Sequence, residues 1–406
     1  MRAVGAVVGA LAAVSVGFAP NAAAYDAQSK QWYLGPMHAE QMWKVSTGKG
    51  VKVAVIDTGV NANTPSLKGQ VLADEVPKSV AYHATDDYSG HGTSMAELIA
   101  GTGADGGLKG LAPGAKIVPY RVQLEGLKSG AEKDKTPSST EALRAAADTD
   151  AKIISMSIGG MTTAEDKAAV NYAASKGKLL IAAVGNNAGA GKSGFIDYPA
   201  GYPYVLGIAA VDSSFTVSKI SSYGNYVDLA APGEAIPGWC DATFRSYCDS
   251  KGTSDATAIA SASAALIWSA HPDWTVNQVT RSLIDTASRS WAKDKPSKYA
   301  GYGFVRPREV LDNPNYNAGP ANVDPLAKDN GGDLLAKSSV KATSTPSASP
   351  TSKAQQKTST GGTSAAGSTA ESSSDNNTLW VALGGAAAVV VLGGAGVAVM
   401  RARRAR

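Results

Sequence analysis

Short apolar runs alternate with helical patterns from residue 25 to about residue 317. Runs that are almost continuously apolar predict strands covered on both faces, at 51–56, 116–122, 152–157, 179–184 and 205–211. Helical patterns lie between them at 93–100, 139–148 and 163–176, and a long run of small residues follows Gly252. This alternation predicts an α/β fold with a mainly parallel central sheet.

Local end signals support these helices. Gly101 and Gly177 stand where two of the helical patterns stop, which is typical of helix C-termini. Thr275 with Gln278 forms a capping box that begins another helix. The break before it, from His271 to Thr275, makes His271 a structural turn residue in our interpretation.

Both ends of the chain differ in composition from the middle. Residues 1–24 have a basic start at Arg2, an apolar stretch and three alanines at 22–24, which predict a secretory signal peptide. An uncleaved anchor is the alternative, but the apolar stretch is short and interrupted by glycine. Residues 318–377 are dominated in their later part by Ser, Thr, Ala, Gly and Lys, which predicts a flexible linker with a reach of about 40 Å.

Residues 378–400 predict a transmembrane helix. The 22 residues from 379 to 400 carry no charge, and as a helix they would span about 33 Å, against a hydrocarbon core of roughly 30 Å. The arginine-rich tail at 401–406 predicts a cytoplasmic end and an extracytoplasmic main domain, as in a single-pass type I protein of the cell membrane. A buried core helix is the alternative, and the terminal position and arginine flank argue against it.

Charge and cysteine content exclude some functions. The 38 basic residues fall to 33 when Arg2 and the four tail arginines are set aside, against 34 acidic residues, so nothing indicates nucleic-acid binding. Cys240 and Cys248 are the only cysteines, and in an exported domain they predict a disulfide. No ligand cluster stands out, so we expect no metal or cofactor, although calcium binding stays open.

Four short segments carry candidate chemistry. Ser254 follows Gly252-Thr253 at a predicted helix N-terminus, where a nucleophile would be favoured, although a plain serine cap looks the same. Asp57 ends a buried strand, and His91 stands between two glycines at a helix start, as a general base would. Asn186 ends another strand and could donate to an oxyanion, although Gly-Asn alone reads as a turn.

The order Asp, His, Ser resembles the subtilase family of serine proteases. The matching motifs are Val-Ile-Asp-Thr-Gly, Gly-His-Gly-Thr, Val-Gly-Asn and Gly-Thr-Ser, within residues 25–317. The resemblance is greatest to mycosins, the membrane-anchored subtilases of type VII secretion. It rests there on Trp32 and its neighbours, Trp43, the cysteine pair, the linker and the terminal apolar segment.

The resemblance implies a subtilisin-like three-layer fold and a role for each motif residue. Ser254 would be the nucleophile, His91 the base, Asp57 its partner and Asn186 the oxyanion donor. Residues Ser157, Ile158 and Gly159 would bind the substrate backbone, with Gly126 a candidate for the opposing strand. Protein or peptide substrates, the type VII secretion membrane complex and the lipid bilayer are the implied partners.

Three features depart from the family pattern. Only 32 residues separate Ala24 from Asp57, which is too few for a large inhibitory pro-domain. Asp255 stands where the family has an uncharged residue, and Glu97 where it has a small one. The alternative function is therefore a mainly structural subunit that stabilises the secretion complex, with dispensable catalysis.

Overall fold

The computed structural model describes residues 25–128, 130–188 and 197–332. The predicted signal peptide, the predicted transmembrane segment at 378–400 and the basic tail lie outside the described residues, as does most of the predicted linker. Within the described residues, no helix is both long enough and apolar enough to cross a bilayer.

The core of the fold is a parallel sheet of six strands in the order β2-β1-β3-β4-β5-β6. The strands are β1 (Lys52–Asp57), β2 (Lys116–Arg121), β3 (Ile153–Met156), β4 (Leu179–Ala183), β5 (Val205–Val211) and β6 (Leu229–Pro232). The five predicted strands are confirmed within a residue or two, whereas β6 was missed. All pairings are parallel, in register from Lys52 opposite Lys116 to Asp57 opposite Arg121 on the first pair.

Alternate side chains of each strand enter two separate apolar cores. In β1, Val53 and Val55 pack with one core, while Ala54 and Ile56 pack with the other. In a sheet with one exposed face, every second residue of a strand is polar. Here both faces are covered, so this alternation is absent. This explains the continuous apolar runs and confirms the predicted α/β class.

Helices cover both faces of the sheet. They are α1 (Ala39–Trp43), α2 (His91–Ala100), α3 (Ala131–Lys135), α4 (Ser139–Ala147), α5 (Ala164–Ser175), α6 (Thr253–Ala270), α7 (Val276–Thr286), α8 (Arg308–Leu311) and α9 (Ala327–Asn330). Helices α2, α6 and α7 pack in the first core, and α4 and α5 in the second. The predicted capping box of α7 is confirmed, since Thr275 and Gln278 bond reciprocally. His271 lies between α6 and α7, and its ring stacks on that of Trp274 with the centroids 3.8 Å apart.

A small antiparallel hairpin, β7 (Glu234–Trp239) and β8 (Tyr247–Lys251), lies beside α2. The predicted disulfide is confirmed, because Cys240 and Cys248 are bonded across the hairpin. The backbone N–H of Trp239 donates to Ser94 Oγ at 2.8 Å. The Asp241 carbonyl oxygen lies 2.7 Å from where a Cβ on Gly90 would be. The hairpin therefore packs directly against the start of α2.

The packed domain extends beyond residue 317. Arg281 donates hydrogen bonds to the carbonyl groups of Ala318, Pro320 and Val323, and Leu326 is only 5% exposed. The predicted linker start at 318 is therefore wrong, because residues 318–332 pack on the rest of the folded domain. The Arg281 contacts use backbone carbonyl groups, which leave no pattern in the side chains of this segment.

Candidate functional site

Asp57 and His91 meet at the carboxyl edge of the sheet. Asp57 is the last residue of β1 and fully buried, and His91 is the first residue of α2. Their side chains form a hydrogen bond of 2.6 Å between His91 Nδ1 and Asp57 Oδ1. The Thr58 N–H also donates to Oδ1 at 2.8 Å, while the buried Oδ2 has no partner among the described residues. The backbone N–H of the next residue therefore helps to hold the Asp57 carboxylate in place against the imidazole.

The loop before His91 is held by Asp87, a residue to which the sequence assigned no role. Asp87 Oδ1 accepts from the N–H groups of Ser89 and Gly90 and from Thr58 Oγ1, at 2.9, 2.8 and 2.7 Å. Its Oδ2 accepts from the Thr93 N–H and Oγ1. One buried carboxylate thus joins the Asp57 turn to the start of α2. The acidic pair at 86 and 87 was the available signal, but only the fold identifies which carboxylate turns inward.

The pKa of His91 is set by opposing effects. Burial of the imidazole lowers its pKa, but the charge and hydrogen bond of Asp57 raise it, and the charges of Asp255 and Asp87 add to this, so the pKa is about 9. The side chain nevertheless keeps 36% exposure, so it can meet a ligand. A base with this pKa is protonated at neutral pH. Any reaction that needs the neutral imidazole should accelerate as the pH rises toward 9.

Ser254 is the second residue of α6, which carries the helix N-terminus to the same site. Backbone N–H groups in this first turn have no partner within the helix and stabilise nearby negative charge. The Ser254 hydroxyl donates to the Ser157 carbonyl oxygen at 3.2 Å, and Ser157 Oγ donates to the Ser254 carbonyl oxygen at 2.9 Å. Among the described residues, the Ser254 hydroxyl makes no hydrogen bond to His91. Rotation about χ1 would have to turn it toward the imidazole.

Asn186 is bound to the same helix turn. Its Oδ1 accepts from the Thr253 N–H at 2.9 Å and from Thr253 Oγ1 at 3.0 Å. Because an N–H can only donate, these bonds identify which end of the carboxamide is oxygen. The amide NH₂ therefore points away from Thr253. Asn186 is also exposed, so its NH₂ group can donate to a ligand.

The predicted substrate segment contacts Ser254, whereas no contact of the predicted opposing glycine with the site is seen among the described residues. Ser157, Ile158 and Gly159 follow β3, and the Ser157–Ser254 bonds bring this segment against the candidate nucleophile. Gly126 lies in an exposed turn after β2 with φ +92°, and the space where a Cβ would stand is open. The structure brings the first segment into the site, and the role of Gly126 stays a prediction.

Asp255 does not project into the open cleft. It is 1% exposed, its Oδ2 accepts from Ser250 Oγ of β8 at 2.8 Å, and its Oδ1 has no partner among the described residues. Burial raises the pKa of Asp255 to about 6, although the Ser250 bond and the positive charge of His91 lower it. Asp255 therefore adds negative charge beneath the site rather than in the path of a ligand.

Glu97 is buried on α2 and fully bonded. Its carboxylate accepts from Thr64 Oγ1 at 2.7 Å and from the Tyr247 hydroxyl at 2.8 Å. Burial raises the pKa of Glu97 to about 7, against the lowering effect of these bonds. Since Tyr247 belongs to β8, Glu97 joins the helix of His91 to the disulfide hairpin. No group of three or more potential metal ligands occurs among the residues that the structure describes.

Comparison with known sequences gives one family. The subtilase family (Peptidase S8) matches residues 48–303. Thermitase of Thermoactinomyces vulgaris is 33% identical over 288 residues, which cover 67% of this chain and 95% of thermitase. Subtilisin NAT of Bacillus subtilis subsp. natto is 36% identical over 247 residues, which cover 60% of this chain and 61% of that protein.

Solved structures with a similar fold include proteases of type VII secretion. The MycP3 protease of the type VII (ESX-3) system has a TM-score of 0.57 and 31% identity, covering 70% of this chain and 88% of its own. MycP1, described as an essential component of the type VII (ESX-1) system, has a TM-score of 0.58 and 27% identity. Its match covers 70% of this chain and 89% of MycP1.

Proposed function

The chain belongs to the subtilase family of serine peptidases, and we propose that Asp57, His91 and Ser254 form its catalytic triad. The observation that carries this proposal is the 2.6 Å hydrogen bond between His91 Nδ1 and Asp57 Oδ1. A carboxylate on Nδ1 keeps the proton there, which leaves Nε2 as the proton acceptor for a serine. Ser254 is the serine that the fold presents at an adjacent helix N-terminus.

In this mechanism Ser254 Oγ attacks the carbonyl carbon of a peptide bond and gives its proton to His91 Nε2. The imidazolium then donates that proton to the leaving amine as the C–N bond breaks, which leaves an acyl group on Ser254. Water, deprotonated by His91, attacks the acyl carbonyl, and the proton returns to Ser254 as the acid product leaves. Asp57 stays ionised and stabilises the imidazolium in both half-reactions.

In this proposal two donors would stabilise the developing oxyanion. These are the NH₂ group of Asn186, which is turned away from Thr253 by the bonds to Oδ1, and the Ser254 backbone N–H. One such donor contributes roughly 3 to 4 kcal/mol to transition-state stabilisation. The segment 157–159 would bind the substrate backbone as an added strand.

We also propose that the enzyme acts outside the cytoplasm on substrates or components of type VII secretion. The similarity to MycP3 and MycP1 supports this, as do the sequence patterns of residues 1–24 and 378–400. The anchor would hold the peptidase at the membrane, next to the secretion complex and the proteins it exports.

A fluorophosphonate probe, which bonds to activated serines, tests the triad. Detergent-solubilised full-length chain should be labelled, faster at pH near 9 than at neutral pH, because the His91 pKa is about 9. Ser254→Ala should lose the label, whereas the exposed Ser214→Ala control should keep it. Folded wild-type chain that takes no label at either pH would refute the proposal.

A structural role in the secretion complex is a second candidate. It is favoured by the description of the similar MycP1 as an essential component of its secretion system. Complementation of a deletion strain separates the two functions. If Ser254→Ala restores secretion as well as the wild type does, the structural role dominates. If only the wild-type chain restores it, proteolysis is required.

A further inference from the structure

A carboxylate lies beside the proposed substrate segment and has no part in the triad. A Cβ built on Gly159 would stand 2.5 Å from Asp197 Oδ1, and one built on Gly185 would stand 2.6 Å from Asp197 Oδ2. The Asp197 carboxylate therefore lies against both of these glycines. Gly159 ends the substrate segment, and Gly185 directly precedes Asn186.

The two segments that flank Asp197 both bond to the start of α6, where Ser254 lies. Ser157, two residues before Gly159, bonds to Ser254. Asn186, next to Gly185, bonds to Thr253. A substrate whose scissile carbonyl lies between Ser254 and the Asn186 amide would have its preceding side chain pointing between these segments. The end of that side chain would then meet the Asp197 carboxylate.

No basic side chain of the described residues neutralises the charge of Asp197. Among residues 25–128, 130–188 and 197–332, no lysine or arginine forms an ion pair with it. Its carboxylate receives hydrogen bonds from the Gly160 and Tyr198 N–H groups, which leave further acceptor positions on the two oxygens. Partial burial raises the pKa of Asp197, since its charge is only partly solvated there, and the two N–H groups counter this.

We propose that Asp197 is a specificity-determining residue that selects a lysine or arginine on the N-terminal side of the cleaved bond. This rests on the proposed peptidase function and adds the substrate class. A guanidinium or ammonium group would replace water around the half-buried carboxylate with a charge-assisted hydrogen bond, whereas an apolar side chain would desolvate the carboxylate without compensation. The preference for a basic over an apolar residue should be roughly 10- to 100-fold.

Peptide aldehydes test this without requiring turnover, because they add reversibly to an active serine. Two peptides that are identical except for a C-terminal argininal or leucinal compete with the fluorophosphonate for the solubilised full-length chain at pH near 9, where His91 is partly neutral. The argininal should block labelling at a concentration roughly 10 to 100 times lower than the leucinal.

Asp197→Asn removes the charge and keeps the size of the side chain. We expect the argininal advantage to fall to near unity in this variant, with the leucinal unchanged. Glu165→Gln removes one negative charge from the exposed surface of α5 and should keep the wild-type ratio. That control separates a local contact from a general electrostatic effect.

Equal potency of the two aldehydes on the wild-type chain, or an Asp197→Asn variant that keeps the argininal advantage, would overturn the proposal. If the variant does not fold, the wild-type ratio alone decides. A folded wild-type chain that takes no label refutes the peptidase function itself, and the specificity falls with it. Labelling without an argininal preference refutes only the role of Asp197.

Discussion

Replacement of Asp57 by Asn removes the charge that controls His91 while keeping the size of the side chain. The bond at stake is the 2.6 Å contact between His91 Nδ1 and Asp57 Oδ1. An asparagine amide could donate to Nδ1, which would move the ring proton to Nε2 and block proton acceptance from Ser254. By analogy with the same substitution in another triad protease, kcat should fall by about 10⁴-fold.

The same variant should also shift the pH profile, which a merely structural defect would not do. Asp57 supplies the two largest effects that raise the pKa of His91 to about 9. A hydrogen bond to a charged group contributes about 1.5 to 3 kcal/mol, and 1.36 kcal/mol corresponds to about one pKa unit. Loss of the Asp57 charge should therefore lower the pKa by about 1 to 2 units. Because the imidazole is 36% exposed, solvent screening favours the lower end of this range.

The assay is the rate of fluorophosphonate labelling, or kcat/KM on a peptide, measured from pH 6 to pH 10. Wild-type activity should rise with pH and reach half its plateau near the His91 pKa of about 9. The Asp57→Asn variant should have a lower plateau and a midpoint at lower pH. Asp86→Asn, an exposed neighbour paired with His83, is the matched control and should keep the wild-type profile. A midpoint in Asp57→Asn that is unchanged or higher would refute this account.

Three further outcomes follow from the groups packed around α2. Asp255→Asn should keep labelling but lower the pH midpoint, because one negative charge that raises the His91 pKa is lost; an unchanged midpoint would contradict this. The folded-state pKa of Glu97, about 7, exceeds its ordinary value of 4.5, so the folded state holds the proton more tightly. The free energy of unfolding should therefore decrease by up to about 3 kcal/mol as the pH rises from 4.5 to about 7. In the Glu97→Gln variant, urea denaturation should show no such decrease over the same pH range. Replacing both Cys240 and Cys248 by serine should lower the free energy of unfolding by roughly 2.5 kcal/mol, measured in urea.

Much of this site could be predicted because its residues lie at element ends that local patterns mark. Asp57 follows a continuous apolar run, His91 follows Gly90 at a helix start, and Ser254 stands two residues after Gly252 at another. In a parallel sheet the carboxyl ends of the strands share one edge, so such residues gather there once the strands pair. The five strand predictions are confirmed for another reason: strands that are buried on both faces are almost continuously apolar.

Other features depended on contacts that no local pattern encodes. The hairpin of β7 and β8 has mixed polar and apolar residues and takes its position from α2. Residues 318–332 looked like a linker because many of their contacts are polar. Arg281 binds three of their carbonyl groups, and the Tyr204 N–H donates to the Asn330 side chain. A backbone hydrogen bond leaves no trace in side-chain composition, which is why the domain boundary was placed too early.

The sequence by itself determined the fold class, five of the six strands of the main sheet, the disulfide and the residues proposed as the triad. Only the tertiary structure decided where individual carboxylates point. Asp87 turns inward to the loop of His91, Asp255 is buried beneath the site, and Asp197 lies against two glycines. Apolar periodicity reports burial of an element, which is a local property. The direction and charge state of a carboxylate depend on partners distant in sequence, and these come together only when the chain has folded.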